Sequence, residues 1–85
     1  MRYFRFYAES LDGQVGYMVC EVSPHNLLTR QIQVFGDQLF WASPGSARDE
    51  RYPFTDQPEF TEGVEECDEI GADEFEVLWQ RAVQQ

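Results

Sequence analysis

Hydrophobic and polar positions alternate at the amino end, with Tyr3, Arg5 and Tyr7 on one side and Phe4, Phe6 and Ala8 on the other. Period-two alternation rich in aromatics predicts a strand over residues 2–8, and Arg5 argues that the Phe4/Phe6 side faces the core. Glu9 to Gln14 supplies turn chemistry centred on Asp12-Gly13. A second strand is expected over 15–22, with Met18, Cys20 and Val22 inward as the more apolar set. Pro24 breaks the pattern, because proline lacks the ladder N–H. A third strand is expected over 28–35, with Gln31 and Gln33 toward solvent and Arg30, Ile32 and Val34 alternating with them. Gly36-Asp37 suits a two-residue primed turn leading into a fourth strand over 38–42. Such short connections make successive strands antiparallel neighbours, so the expected sheet is a four-stranded meander.

From residue 43 to residue 70 no periodicity is visible. Three prolines (Pro44, Pro53, Pro58) and scattered acids make this a long acidic connection. A structureless stretch of that length is uncommon in a small domain. Tyr52, Pro53, Phe54 and Phe60 are therefore expected to pin it across the sheet, with a short fifth strand or a helical turn somewhere along it. Beyond it, Phe75, Leu78, Trp79 and Ala82 fall at helical spacing and predict a helix over about 72–83. Gly71 is its expected N-cap, with Glu74 in the position of a capping box and Ile70/Phe75 spaced as a hydrophobic staple. The expected fold is thus a single α+β domain spanning 1–85, its sheet covered on one face by the terminal helix.

Charge changes this picture most. Between Asp56 and Glu76 there are ten acids and no Arg, Lys or His. The preceding residues balance five Arg against six acids, so nearly all of the net charge of −10 sits on the last third. Such a field repels nucleic acid and anionic membrane and attracts basic protein surfaces. No run approaches the roughly 18 apolar residues of a membrane span. The amino end lacks the apolar core of a secretory signal, so a cytoplasmic protein with reduced cysteines is expected, as a monomer or weak dimer.

Candidate chemistry is sparse. His25 is the sole histidine, set in a turn with no recognisable nucleophile partner. Cys20 lies in an apolar run, and Cys67 stands between Glu66 and Asp68, which disfavour its thiolate. Together these three lack zinc spacing, and the acids lack a calcium-loop pattern. No catalytic residue, metal or cofactor is therefore expected.

The segments Tyr3-Phe4-Arg5-Phe6, Thr29-Arg30-Gln31-Ile32-Gln33-Val34-Phe35-Gly36-Asp37 and Ile70-Gly71-Ala72-Asp73-Glu74-Phe75-Glu76-Val77-Leu78-Trp79 resemble a family of small bacterial α+β domains with a terminal Glu-Phe-Glu-x-x-Trp helix. The resemblance covers about two-thirds of the chain and implies no reaction or cofactor. It implies an inhibitor or toxin-immunity role for some members. The loop of residues 43–60 departs from the family pattern.

These observations lead to an acidic protein-interaction module whose partner surface is basic. Its candidate contact residues are Glu59, Phe60, Glu62, Glu65, Glu66, Asp68 and Glu69, an aromatic anchor inside a charged rim if they converge. Two alternatives stay open. One is a merely solubilising acidic flank. The other is a sheet that binds a ligand or nucleic acid through outer aromatics and a cationic spot at Arg5 and Arg30.

Overall fold

In the computed structural model, which describes residues 1–61 and 66–85, the amino-terminal alternation becomes β1 (Arg2–Glu9). It is followed by β2 (Val15–Val22), β3 (Leu28–Phe35) and β4 (Gln38–Ser43). The β3–β4 hairpin turns through Gly36, whose φ of 61° an L-residue adopts only at a cost. Two further strands correct the expected four: β5 (Ser46–Ala47) and β6 (Cys67–Ile70). The chain ends in α1 (Ala72–Gln84).

The six strands run in the order β5-β4-β3-β2-β1-β6, every neighbouring pair antiparallel. Strands β1 to β5 are a meander, whereas β6 returns across the molecule to the far edge beside β1. Its sequence, Cys-Asp-Glu-Ile, carries no apolar alternation because an edge strand needs none. Charged side chains there also guard the edge against pairing with other chains.

Both faces of the sheet are covered, and this inverts part of the expected inside and outside. Helix α1 packs on the face carrying Val19, Ile32, Val34 and Leu39, bringing Phe75 and Ala82 to complete burial. Trp41 of β4 meets Trp79 of α1 edge-on at 5.8 Å. The Phe4/Cys20/Val22/Leu28 face is core as well, covered by Phe54 and Phe60 of the connection. Tyr52 stacks on Phe40 at 4.1 Å on the same side. Arg5, the reason for preferring the Phe4 side, sits at the rim of the helix-covered face and faces Glu74 at 3.7 Å.

Gln31, expected in solvent, is 1% exposed. Its amide nitrogen donates to the Pro53 carbonyl at 3.1 Å, and its oxygen accepts from the Thr55 N–H at 3.1 Å. A buried amide with both ends satisfied in this way clamps the connection to β3. At the other end of the molecule, the Gln85 oxygen accepts from the Leu39 N–H at 2.9 Å while its nitrogen donates to the Asp37 carbonyl at 2.9 Å. That pair of bonds ties the helix terminus to the β3–β4 hairpin. Gly71 is the N-cap as expected, but it has no side chain to close a capping box, and Glu74 turns to Arg5 instead.

Candidate functional site

Residues 53–61 begin beneath Gln31 and end beside β1 and β3, and backbone bonds fix their path. The Leu28 N–H donates to the Pro58 carbonyl at 2.8 Å, and the Phe60 N–H donates to the Asn26 carbonyl at 2.8 Å. Leu27 and Glu59 form an isolated antiparallel bridge between these bonds. Thr55 Oγ1 accepts from the Gln57 N–H at 3.2 Å, holding the turn that precedes it. The segment is therefore a pinned wall rather than a loose strap.

This wall and the sheet enclose a cleft of about 430 Å³ lined by Phe6, Met18, Leu28, Thr55, Gln57, Glu59, Phe60 and Thr61. Its floor is apolar, since Phe6 and Met18 face each other across β1 and β2. Phe60, also in the lining, stacks on Phe4 at 4.6 Å. Among the described residues, Glu59 is the sole ionisable side chain in the lining. It is exposed and makes no ion pair or side-chain hydrogen bond among the described residues. The amide of Gln57 and the hydroxyl of Thr61 stand in the same lining.

The candidate contact residues do not share one face. In the β1–β6 register, Asp68 lies opposite Arg5 and Glu69 opposite Phe4. Neighbouring strand residues point to opposite sides, so Asp68 belongs to the helix side and Glu69 to the Phe4 side. Arg2 donates to both Glu69 oxygens, at 2.9 and 3.2 Å, and holds that carboxyl below its ordinary range. Phe60 is half-buried against Phe4 rather than a protruding anchor. Glu66 is exposed, and Glu62 and Glu65 lie outside the described residues.

Arg5 and Arg30 do not form one spot, because β2 separates their strands. Arg30 lies under the first half of α1, over the Phe75 ring at 4.8 Å and the Trp79 ring at 4.9 Å. It donates to Glu21 through Nε at 2.9 Å and Nη2 at 2.6 Å, and it pairs with Glu76 of the helix. The Thr29 hydroxyl adds a bond to Glu21 at 2.7 Å. Hydrogen bonds from Arg30, then Thr29, outweigh the desolvation of Glu21 and draw its pKa down to about 2. This cluster is closed and internally satisfied. No signal in the sequence alone pairs Arg30 with Glu76, 46 residues away.

The remaining reactive groups stand apart. His25 is exposed in the Ser23–Asn26 turn, its backbone N–H donating to Ser23 Oγ at 3.2 Å. Cys20 is fully buried, and burial pushes its thiol up to about 12. Among the described residues, no group of three or more His, Cys, Asp or Glu is placed to hold a metal ion. Among the same residues, no helix is long and apolar enough to cross a membrane. Comparison with models of protein families, with curated proteins and with solved structures finds nothing that matches this chain.

Proposed function

We propose that this chain is a non-catalytic binding module that docks its acidic third on a basic surface of a protein partner, as an inhibitor or immunity-type protein would. The supporting observation is the charge left over after internal pairing. Arg2, Arg5 and Arg30 are engaged with Glu69, Glu74 and the Glu21/Glu76 pair. Asp56, Glu59, Glu66, Asp68 and Asp73 make no ion pair among the described residues. Unpaired carboxylates of one sign steer a basic partner into encounter and suppress acidic competitors.

The sheet-binding alternative has less behind it. Tyr3, Tyr17 and Trp41 pack against the helix-side core, and Arg30 is held between two carboxylates. Stacking on nucleic acid needs a basic groove to hold the phosphates. A solubilising flank is the competing account, and kinetics separates it from docking. With a partner captured from the native host and purified, the association rate should fall at least about tenfold between roughly 50 and 200 mM salt. It should fall again for the Asp68→Asn/Asp73→Asn variant. An association rate indifferent to salt and to that variant, or retention of an anionic oligonucleotide in place of a protein, overturns the reading.

A further inference from the structure

We infer that the cleft beside Glu59 receives the side chain of one arginine presented by that basic partner; the inference rests on the docking reading above. The cleft joins an apolar floor of Phe6, Met18 and Leu28 to the negative charge of Glu59. An anion is excluded by that carboxylate and by a net charge of −10. A neutral apolar group would fill the floor but strip water from the Glu59 rim without supplying a donor. What satisfies both parts is a cation on an apolar stem.

Arginine fits better than lysine. Its planar guanidinium presents five donors in a fixed fork, and the lining supplies acceptors in the Glu59 carboxylate, the Gln57 amide oxygen and the Thr61 hydroxyl. Its flat face is suited to lie against the rings of Phe6 and Phe60. A volume of about 430 Å³ takes a whole side chain together with its flanking backbone. The wall is set in advance by the bonds from Leu28 to Pro58 and from Phe60 to Asn26, so little ordering cost falls on binding. Two other surface features lack this definition. The exposed Tyr7, Leu11 and Val15 at the β1–β2 hairpin carry nothing that specifies an occupant, and the Arg30 cluster is already satisfied.

The test titrates the isotope-labelled full chain with N-acetyl-arginine methylamide, and in parallel with the lysine and norleucine analogues, followed by NMR. The arginine probe should give saturable shifts at the Gln57, Glu59 and Thr61 amides and the Met18 methyl. Lysine should bind at least about threefold more weakly, and norleucine should leave these signals unmoved. Glu59→Gln should weaken the arginine probe roughly tenfold, the loss of a charge-assisted bond. Gln57→Arg, an exposed change, should abolish the shifts by offering the cleft the chain's own guanidinium. Equal binding of norleucine, no saturable response up to about 50 mM probe, or shifts confined to Asp68 and Asp73 would each overturn the assignment. The last of these outcomes would leave docking on a basic surface standing. A partner whose association ignores salt, met with an intact arginine response at the cleft, would remove the docking reading and the basic partner as the source of the arginine, while the selectivity of the cleft for arginine would stand.

Discussion

Gly16 of β2 sits where a Cβ would lie 2.0 Å from the Val34 carbonyl oxygen and 2.7 Å from Phe35 Cδ1. The carbonyl belongs to the β3 backbone and cannot swing aside as a side-chain tip would. Gly16→Ala is therefore expected to cost about 2–3 kcal/mol, the upper range of overpacking. At Gly45, φ is 80° and a Cβ would meet nothing within 4 Å, so Gly45→Ala carries only the left-handed backbone cost of about 1–2 kcal/mol. Urea unfolding of the two variants should rank Gly16→Ala as the less stable, and the reverse order would contradict the close approach. Gln31 shows how far a single residue can be read in isolation. Its alternation with Ile32 is legible in the sequence, and the two do lie on opposite sides of the strand. That the Gln31 side is buried depends on Pro53 and Thr55, at least 22 residues away.

At the level of elements, Arg30 is the bolt between sheet and helix, joining Glu21 of β2 to Glu76 of α1. Removing Arg30 leaves the buried Glu21 carboxylate without its cation. Because the guanidinium itself is partly exposed, Arg30→Met should cost about 2–3 kcal/mol near neutral pH, below the range of a fully buried pair. The pH dependence follows from Glu21, whose carboxyl falls from an ordinary 4.5 to about 2 on folding. Between those values the unfolded chain binds the extra proton. The contribution of the pair is therefore complete above about pH 4.5 and is lost as pH falls through about 2. Urea melts at about pH 7, 4 and 2.5 should show the gap between wild type and Arg30→Met narrowing toward acid. A gap of constant size would mean that packing of the guanidinium on Phe75 and Trp79, rather than the ion pair, carries the effect.

For the whole molecule, a net charge of −10 is held within a Cα radius of gyration of 11.9 Å. Self-repulsion of this size opposes the compact state, and salt screens it over a Debye length of about 10 Å at 0.1 M. The Arg30–Glu21 pair, with Glu21 6% exposed, is screened much less. The melting temperature should accordingly rise by several degrees between about 10 mM and 0.5 M sodium chloride. A fall would show that exposed pairs such as Arg2–Glu69 outweigh the repulsion. The same salt that steadies the fold should slow docking, so stability and association rate are expected to move in opposite directions.

Elements whose signals are local can be read from the amino-acid order alone. Alternation places β1 to β4 within a residue of their ends, the Gly36-Asp37 pair places a hairpin, and the Phe75/Leu78/Trp79/Ala82 stripe places α1. Each depends on residues a few positions apart, where backbone geometry sets the spacing. What covers each face is settled only by folding, because cover comes from distant segments: α1 over Val19 and Ile32, and residues 54–60 over Phe4 and Cys20. Folding settles β6 as well, an edge strand whose pairing with β1 leaves no periodicity to read. Two expected groupings dissolve for the same reason. Asp68 and Glu69 part because neighbouring strand residues point to opposite faces, and Arg5 and Arg30 part because β2 runs between their strands. The cleft at Glu59 belongs wholly to this second kind, since Phe6, Met18 and Leu28 meet residues 55–61 only when the chain folds back across its own sheet.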